Sequence, residues 1–463
     1  MKPSRTEIDS LGELSIPADA LYGINTARAL NNFPINGRKL GDEAALVRAF
    51  GYLKKAAALA NRDLGVLTAQ TADSISRACD ELISGRLNHH LVVPLLEGSG
   101  GTSTNMNINE VLANRAQVFT GHPVGSFRVI HPNDHVNSGQ STNDVMPSAM
   151  KLACYHLCSG LVEALKELVQ SLSVKVDEFS DVYRLGRTCL QDAQPMTLGQ
   201  AFSGYAAVLN RSLERVQLQQ ARLLTIPLGG TAIGTGLGSV KGYRSKVFKH
   251  LNELTGLSIE PASNRFDGMQ NLDEFQRLSA ELEIASAAMA KIAKDLILLS
   301  SGPSGGLGEI QLPAVQAGSS IMPGKVNPVI PMSVVQLSQM LHGNHSCIAM
   351  ACQDGMLEIN HYEQVVADRL FDSLHRFTEI TTSFSRLCIR GICADRDRSL
   401  DNLRRSFALA TTLVPKLGYT AVSQLVKESV KQKVPFLDLV QQRKLMSAEE
   451  IDELIISVVD ADL

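Results

Sequence analysis

The sequence predicts a mostly α-helical protein built around a bundle of long helices, and three observations support this. Over residues 275–299, apolar residues recur at alternating steps of three and four, a seven-residue repeat sustained over nearly four heptads. The chain contains no tryptophan and only 5% aromatic residues, so such helices must pack through aliphatic side chains. Polar, glycine-rich segments separate the helical stretches, which argues against a purely structural rod.

The seven-residue repeat requires a partner helix along its whole length, because its apolar stripe would otherwise face water. Its positions are Phe275, Leu278, Leu282, Ala285, Met289, Ile292, Leu296 and Leu299. A similar spacing links Leu157, Leu161, Leu165, Leu168 and Leu172. Further helical patterns cover roughly residues 200–225, 333–349 and 363–388. A long bundle leaves much apolar surface along its sides, so we expect the chain to form an oligomer.

Length and composition suit an enzyme of several domains. We predict a mixed, mainly helical domain over residues 1–145, a central long-helix domain over 146–394 and a small helical domain over 395–463. The net charge of -3 leaves no basic surplus to neutralise phosphates, which argues against nonspecific nucleic-acid binding. The opening residues lack the apolar core of a secretory signal, and no stretch approaches the roughly 18 apolar residues of a membrane span. We therefore expect a cytoplasmic enzyme.

Eight cysteines are scattered over the chain. Because no Cys or His cluster of matching spacing accompanies them, we expect reduced, buried packing residues and not a metal site. This expectation covers Cys154, Cys158, Cys347, Cys352, Cys388 and Cys393. The pair His131 and His135 also lacks a third ligand at suitable spacing, so we predict no metal there.

Five polar segments contain the candidate functional residues, near residues 98–110, 131–147, 186–200, 227–239 and 301–328. The first precedes a helix predicted over residues 111–118, where helix-start amides favour an anion, although ordinary helix capping is an alternative. In the second, hydroxyl and amide side chains can hold a carboxylate without a buried counter-charge. The fourth lacks the Gly-Lys-Ser/Thr ending of a phosphate loop, so we interpret it as a tight turn that lets helices pack.

The fifth segment is the most informative. It ends in the run Gly318-Ser319-Ser320-Ile321-Met322-Pro323-Gly324-Lys325-Val326-Asn327-Pro328. Two adjacent hydroxyls beside glycines, with a lysine and an asparagine soon after, can grip a carboxylate and move a proton next to it.

This run resembles the signature of the fumarase/aspartase superfamily, and the resemblance extends from about residue 5 to about residue 419. Residues 5–12 and 16–23 look like the start of these enzymes. The run Tyr22-Gly23-Ile24, where fumarases usually carry a tryptophan, and residues 327–331 are similar to the aspartase branch.

The resemblance implies a three-domain, mostly helical fold in a homotetramer with a central bundle of long helices. Each active site would then combine segments from three subunits. The implied reaction removes ammonia from aspartate or a close relative to give fumarate, without an organic cofactor, and Ser319 matches the catalytic base on a mobile loop. Residues that match binders of the substrate's carboxylates and amino group are Thr102, Ser141, Thr142, Asn143, Thr188, Ser320, Lys325 and Asn327.

The chain departs from the family pattern in its pocket residues. Cys189 stands where fumarases and some aspartases carry a histidine, and Met332 stands where the family usually carries the glutamate that pairs with it. Residues 357–365 also differ from the usual Leu-Asn-Val-x-x-Pro-Val.

Three interpretations follow: an aspartate ammonia-lyase with a tolerant pocket, a lyase for a larger or N-substituted aspartate, and a catalytically silent assembly protein. Retention of Ser319, Lys325 and Asn327 argues against the silent protein. The missing histidine–glutamate pair makes fumarate hydration less favoured than loss of an amine.

Overall fold

The computed structural model describes residues 3–460, and the predicted mostly α-helical fold is confirmed. Sixteen α-helices lie within that range. They are α1 (Ile24–Asn32), α2 (Ala44–Asp63), α3 (Ala69–Ile83), α4 (Thr102–Phe119), α5 (Thr142–Glu178), α6 (Leu198–Arg222), α7 (Tyr243–Thr255), α8 (Arg265–Gln270), α9 (Asp273–Leu299), α10 (Val329–Gln353), α11 (Glu363–Leu387), α12 (Arg396–Arg405), α13 (Val414–Leu417), α14 (Tyr419–Gln432), α15 (Phe436–Gln442) and α16 (Ala448–Asp460).

The strands in the described part of the chain form four pairs and no larger sheet. They are β1 (Ser4–Asp9), β2 (Gly12–Pro17), β3 (Tyr183–Thr188), β4 (Gln191–Thr197), β5 (Thr225–Ile226), β6 (Glu260–Pro261), β7 (Ile310–Gln311) and β8 (Cys393–Ala394). The pairs β1–β2 and β3–β4 are antiparallel hairpins, β7–β8 is antiparallel, and β5–β6 is parallel. Helices therefore supply the architecture.

The chain divides into two compact units, each assembled from three stretches of sequence. Unit 1 comprises Met1–Val162, Arg215–Glu283 and Met340–Arg376, and unit 2 comprises Glu163–Glu214, Ile284–Gln339 and Phe377–Leu463. The five long helices α5, α6, α9, α10 and α11 each contain a boundary between these stretches, so each contributes residues to both units. The division into three sequence domains at residues 145 and 394 stays a prediction.

The long helices bury the apolar stripes that the sequence predicted. Every position of the repeat on α9 is at most 5% exposed, from Phe275 to Leu299. On α5, Leu161, Leu165, Leu168 and Leu172 are fully buried, and Leu157 is partly buried. The helices predicted near residues 200–225, 333–349 and 363–388 are confirmed as α6, α10 and α11.

Polar contacts between long helices fix their registers within each unit. In unit 1, the Asn344 amide on α10 donates to the Ser373 hydroxyl on α11 at 3.0 Å. In unit 2, the Tyr205 hydroxyl on α6 donates to the Asp295 carboxylate on α9 at 2.8 Å. A buried polar pair can be satisfied only in one alignment of two helices, so these bonds select a register that apolar packing alone leaves less defined.

The cysteine prediction holds only in part. Cys154, Cys158 and Cys388 are buried and unpaired, whereas Cys393 is exposed in β8, so the prediction is wrong there. Cys347 and Cys352 are intermediate. Across residues 3–460, no three His, Cys, Asp or Glu side chains are grouped as metal ligands would be. In the same range, none of the helices has both the length and the apolar character that crossing a bilayer demands.

Candidate active site

The first polar segment lies mostly inside a helix. Helix α4 begins at Thr102, nine residues before the start predicted at Val111, so that prediction was wrong. Gly101, at φ +82°, ends the loop and turns the chain into the helix. The asparagines in the first two turns have low helix propensity, but they are buried and bonded to other elements, as when the Asn107 carbonyl accepts the Val92 N–H at 2.9 Å. Tertiary hydrogen bonds override the local preference here.

A buried polar network joins the starts of α4 and α5 in unit 1. The Lys54 ammonium on α2 donates to the side-chain carbonyls of Asn105 at 2.8 Å and Asn137 at 3.0 Å. The Asn105 amide in turn donates to the Thr142 hydroxyl at 3.1 Å. Burial lowers the pKa of Lys54 to about 7, against the pull of the nearby Asp144 carboxylate. Through its bond from Asn105, this network holds the hydroxyl of Thr142, which is a predicted substrate-binding residue.

Asp144 ties the second polar segment to the fourth. Its fully buried carboxylate accepts backbone N–H groups from Ser141 at 2.9 Å, Gly229 at 2.9 Å and Thr231 at 3.0 Å. Burial raises the pKa of Asp144 to about 6, although these three donors and Lys54 oppose the shift. The Asn143 amide also donates to the Ala232 carbonyl at 2.8 Å. The turn at residues 228–236 therefore supports the predicted site residues.

The predicted binders of unit 1 lie on two neighbouring helix starts. Thr102 is exposed at the first residue of α4, and Ser141 and Asn143 are partly exposed at the start of α5. A Cβ added to Gly101 would lie 3.2 Å from the methyl carbon of Thr142, so the two starts are in close contact. Two helix N-termini with hydroxyl and amide side chains form a surface that favours an anion.

In unit 2, Ser319 lies on an exposed loop with its oxygen held by backbone amides. The Ser319 hydroxyl oxygen accepts the N–H groups of Met322 at 2.9 Å and Ile321 at 3.2 Å. Two N–H donors on one oxygen stabilise negative charge there, which favours an alkoxide. Ser319 and Lys325 also line an open concavity of about 450 Å³, and Ser320 is exposed beside it.

The two ends of this loop meet at a narrow neck. The Gly318 N–H donates to the Lys325 carbonyl at 2.7 Å, and the Asn327 amide donates to the Gly318 carbonyl at 2.7 Å. A Cβ added to Gly318 would lie 2.7 Å from both the Lys325 carbonyl oxygen and the Asn327 nitrogen, so only glycine fits. One role of Asn327 is thus to close the loop, and its side-chain amide has a second N–H and a carbonyl oxygen besides the N–H used here.

The β3–β4 hairpin carries Thr188 and Cys189 at its exposed tip. Thr188 pairs with Gln191, and the two turn residues Cys189 and Leu190 have φ of +52° and +61°. These are the conformations that Asn-Gly turns adopt readily and that larger side chains adopt at a cost. Met332, 45% exposed, occupies the first turn of α10. Cys189 and Met332, two of the departures from the family pattern, are thus exposed.

Each unit gathers its own share of the predicted residues. Unit 1 holds Thr102 together with Ser141, Thr142 and Asn143; unit 2 holds Ser319, Ser320, Lys325 and Asn327 on one loop, with Thr188 and Cys189 on the hairpin and Met332 on α10. Sequence reasoning missed the supporting residues Lys54, Asn105, Asn137 and Asp144. The repeated asparagines of the first segment were a signal of a buried hydrogen-bond network. Nothing in the sequence around Lys54 on α2 indicated that it belongs to this network.

Comparison with known proteins decides the family. A family model described as a lyase matches residues 12–341. The chain is 40% identical to an aspartate ammonia-lyase of Helicobacter pylori over 450 residues, which is 97% of this chain and 96% of that protein. This chain belongs to the fumarase/aspartase superfamily. It lies in the aspartate ammonia-lyase branch and is a carbon–nitrogen lyase.

The chain is also similar to a fumarate hydratase and to a solved structure of a fumarate lyase. It is 38% identical to fumarate hydratase 2 of Arabidopsis thaliana over 455 residues, 98% of this chain and 91% of that protein. It superposes with a TM-score of 0.94 on a fumarate lyase:delta crystallin from Brucella melitensis bound to cobalt, at 40% identity with 98% of each chain covered. This lyase therefore has the helical fold of the superfamily.

Proposed function

We propose that this lyase eliminates ammonia, or a small amine, from L-aspartate or a close aspartate derivative to give fumarate. The observation that carries the proposal is the Ser319 oxygen, which two backbone N–H groups hold on the loop that also presents Lys325. A serine is a weak base unless its alkoxide is favoured, and these donors favour it. Ser319 takes the Cβ proton, the Cα–N bond breaks with its electrons going to nitrogen, and the carbon–carbon double bond forms.

The difficult step is loss of a proton beside a carboxylate, because it creates a dianionic aci-carboxylate. Pre-positioned donors stabilise that charge better than water does, and each can supply roughly 3 kcal/mol. In this proposal Lys325 and Asn327 bind the carboxylate next to the reacting carbon, with Ser320 and Thr188 adding hydroxyls. Thr102, Ser141, Thr142 and Asn143 hold the other carboxylate and the amino group at two helix starts.

We infer that the enzyme works as a homotetramer in the cytoplasm, with each site completed by segments from three subunits. The family resemblance suggests this arrangement, and exposed apolar side chains on the long helices support it. Ile284 and Leu298 on α9 are 58% and 39% exposed, and Leu218 on α6 is 45% exposed. Apolar residues on long helices favour a second chain as cover. No organic cofactor enters this mechanism.

The choice of an amine over water as the leaving group depends on the pocket departures. A histidine–glutamate pair suits the handling of water, and this lyase has Cys189 and Met332 in those places. The Cys189 thiol is smaller than a histidine ring, and the Met332 thioether is less polar than a glutamate carboxylate. The wall of the proposed pocket is therefore less polar, which supports the alternative that an N-substituted aspartate is the substrate. The 38% identity to a fumarate hydratase keeps malate among the compounds to test.

The experiment is to incubate the enzyme separately with L-aspartate, N-alkyl aspartates and L-malate while following the ultraviolet absorbance of fumarate. We expect fumarate and one equivalent of ammonia or amine from an aspartate, and none from malate. Fumarate from malate alone would overturn the amine assignment and favour hydration. Silence with every compound would favour the silent assembly protein.

A further inference from the structure

A segment of unit 1 that the proposed mechanism does not use packs directly on the turn before Thr102. A Cβ added to Gly100 would lie 3.3 Å from the Cβ of His361. A Cβ added to Gly101 would lie 2.8 Å from the side-chain nitrogen of Gln364. Residues 361–364 therefore border the start of α4, where a substrate carboxylate is proposed to bind.

The position of this segment is fixed by a buried asparagine. The Asn360 amide is fully buried and donates to the carbonyls of Ala351 at 2.9 Å and Cys352 at 3.1 Å, at the end of α10. Its side-chain carbonyl accepts the Tyr362 N–H at 2.9 Å. His361 is held between these two anchors, and its partly exposed ring lies 4.3 Å from that of Tyr362. The Cβ of His361 is therefore held in a defined place next to Gly100.

Buried polar atoms in the same segment are without partners among the described residues. Gln364 is 2% exposed, and neither its nitrogen nor its carbonyl oxygen makes a hydrogen bond. One oxygen of Glu363, which is also 2% exposed, is unpartnered as well, and burial raises the pKa of this carboxyl well above its ordinary value. Because buried polar groups nearly always have hydrogen-bond partners, we expect Glu363 and Gln364 to gain a polar partner, such as a bound ligand.

We propose that His361 is a further substrate-contacting residue. It donates a ring N–H to the substrate carboxylate that binds at the turn of residues 100–102. This rests on the proposed function, because it assumes that the start of α4 binds that carboxylate. Gln364 is a positioning residue in this arrangement, since its side-chain nitrogen would lie 2.8 Å from a Cβ added to Gly101 and so borders the turn before Thr102.

The test compares His361→Val, His361→Gln and His342→Gln. His342 is a matched control because it lies on the exposed surface of α10, where its side chain is 72% exposed. Steady-state kinetics with L-aspartate would be combined with calorimetric binding of succinate, a dicarboxylate that cannot undergo the elimination. We expect His361→Val to raise KM and the succinate dissociation constant about 10-fold with little change in kcat, because one charge-assisted hydrogen bond is lost. His361→Gln, which keeps an N–H donor, should recover most of that loss.

The outcomes separate the two proposals. If wild-type enzyme binds succinate and His361→Val weakens that binding while aspartate is not turned over, the His361 contact stands and the proposed reaction fails. If aspartate is turned over and His361→Val leaves KM and succinate binding unchanged, the His361 contact is wrong and the reaction stands. A loss that His361→Gln does not recover, accompanied by a lower unfolding temperature, would assign His361 a packing role and overturn the proposal.

Discussion

The two sets of candidate site residues are built in different ways. In unit 1, Thr102 and Thr142 lie on helix starts that a buried network holds, with Lys54 and Asp144 at its centre. In unit 2, Ser319 lies on an exposed loop, where two backbone N–H groups and a two-bond neck define its place. The first set is fixed by side chains within a packed core. The second is fixed by main-chain groups of its own loop and by one side chain, the Asn327 amide.

This difference matches the two tasks of the proposed reaction. Binding groups gain most from rigid placement, because a fixed donor needs no reorganisation when charge develops. A base on a loop can close over a substrate and then release the product. Changes in the loop should therefore affect turnover more than stability, and changes in the buried network should do the reverse.

The largest effect is expected for Ser319→Ala. Removing the proposed base should lower kcat about 1,000-fold with aspartate, because positioned acid–base groups contribute on the order of 100- to 10,000-fold. The unfolding temperature should stay unchanged, since the side chain is only partly buried on its loop. Ser457→Ala, at an exposed serine of α16, is the control and should keep full activity. Near wild-type turnover by Ser319→Ala would rule out the base.

The next effect concerns the loop neck. Gly318→Ala places a Cβ 2.7 Å from the Lys325 carbonyl oxygen, so the neck must open and shift Ser319. We expect kcat/KM to fall about 100-fold, as small misplacements of reacting groups do, while stability changes little. Gly305→Ala is the control, because its Cβ would meet no atom within 4 Å. Equal activity of the two variants would mean that the neck does not position the base.

A smaller effect, in stability and not in turnover, is expected from the buried network. Lys54 has a pKa of about 7 in the folded protein and 10.5 as its ordinary value, so the folded state binds fewer protons between those limits. Folding stability should accordingly fall as the pH is lowered through this window, by about 2 kcal/mol between about pH 9 and about pH 7. Asp144 does not add to this slope, because its pKa of about 6 lies below the window.

Denaturant unfolding of Lys54→Met at both pH values checks this expectation. The variant should lose that part of the pH dependence, since it has no ammonium to desolvate. Lys55→Met retains Lys54 and should retain the slope, which makes the neighbouring lysine a matched control. An identical slope in wild type and Lys54→Met would contradict the assignment.

The smallest effect is expected at the hairpin tip of unit 2. Leu190 has φ +61°, where a side chain costs about 1 kcal/mol and glycine costs nothing. After the greater flexibility of glycine in the unfolded chain is subtracted, Leu190→Gly should stabilise the enzyme by about 0.5 kcal/mol. Lys427→Gly, at an exposed position inside α14, should instead destabilise it by about 1 kcal/mol. Thermal unfolding of both variants measures the contrast, and losses of equal size would show that the turn is unstrained.

Local patterns in the sequence were sufficient for the long helices and for naming the candidate residues. The repeat on α9 is complete in one continuous stretch, and burial followed it from Phe275 to Leu299. The predicted start of α4 was wrong because the asparagines after Thr102 favour turns when their local sequence is considered alone. Their partners, such as Lys54 and Val92, come from distant parts of the chain.

The sequence by itself determined the mostly helical bundle, the superfamily resemblance and the residue types available for binding and proton transfer. Only the tertiary structure decided which of these residues rest on a buried network, which lie on an exposed loop, and that residues 361–364 pack beside Thr102. The physical reason is that helical periodicity is written in neighbouring residues. Burial and hydrogen bonding of a polar group depend instead on what the fold brings next to it.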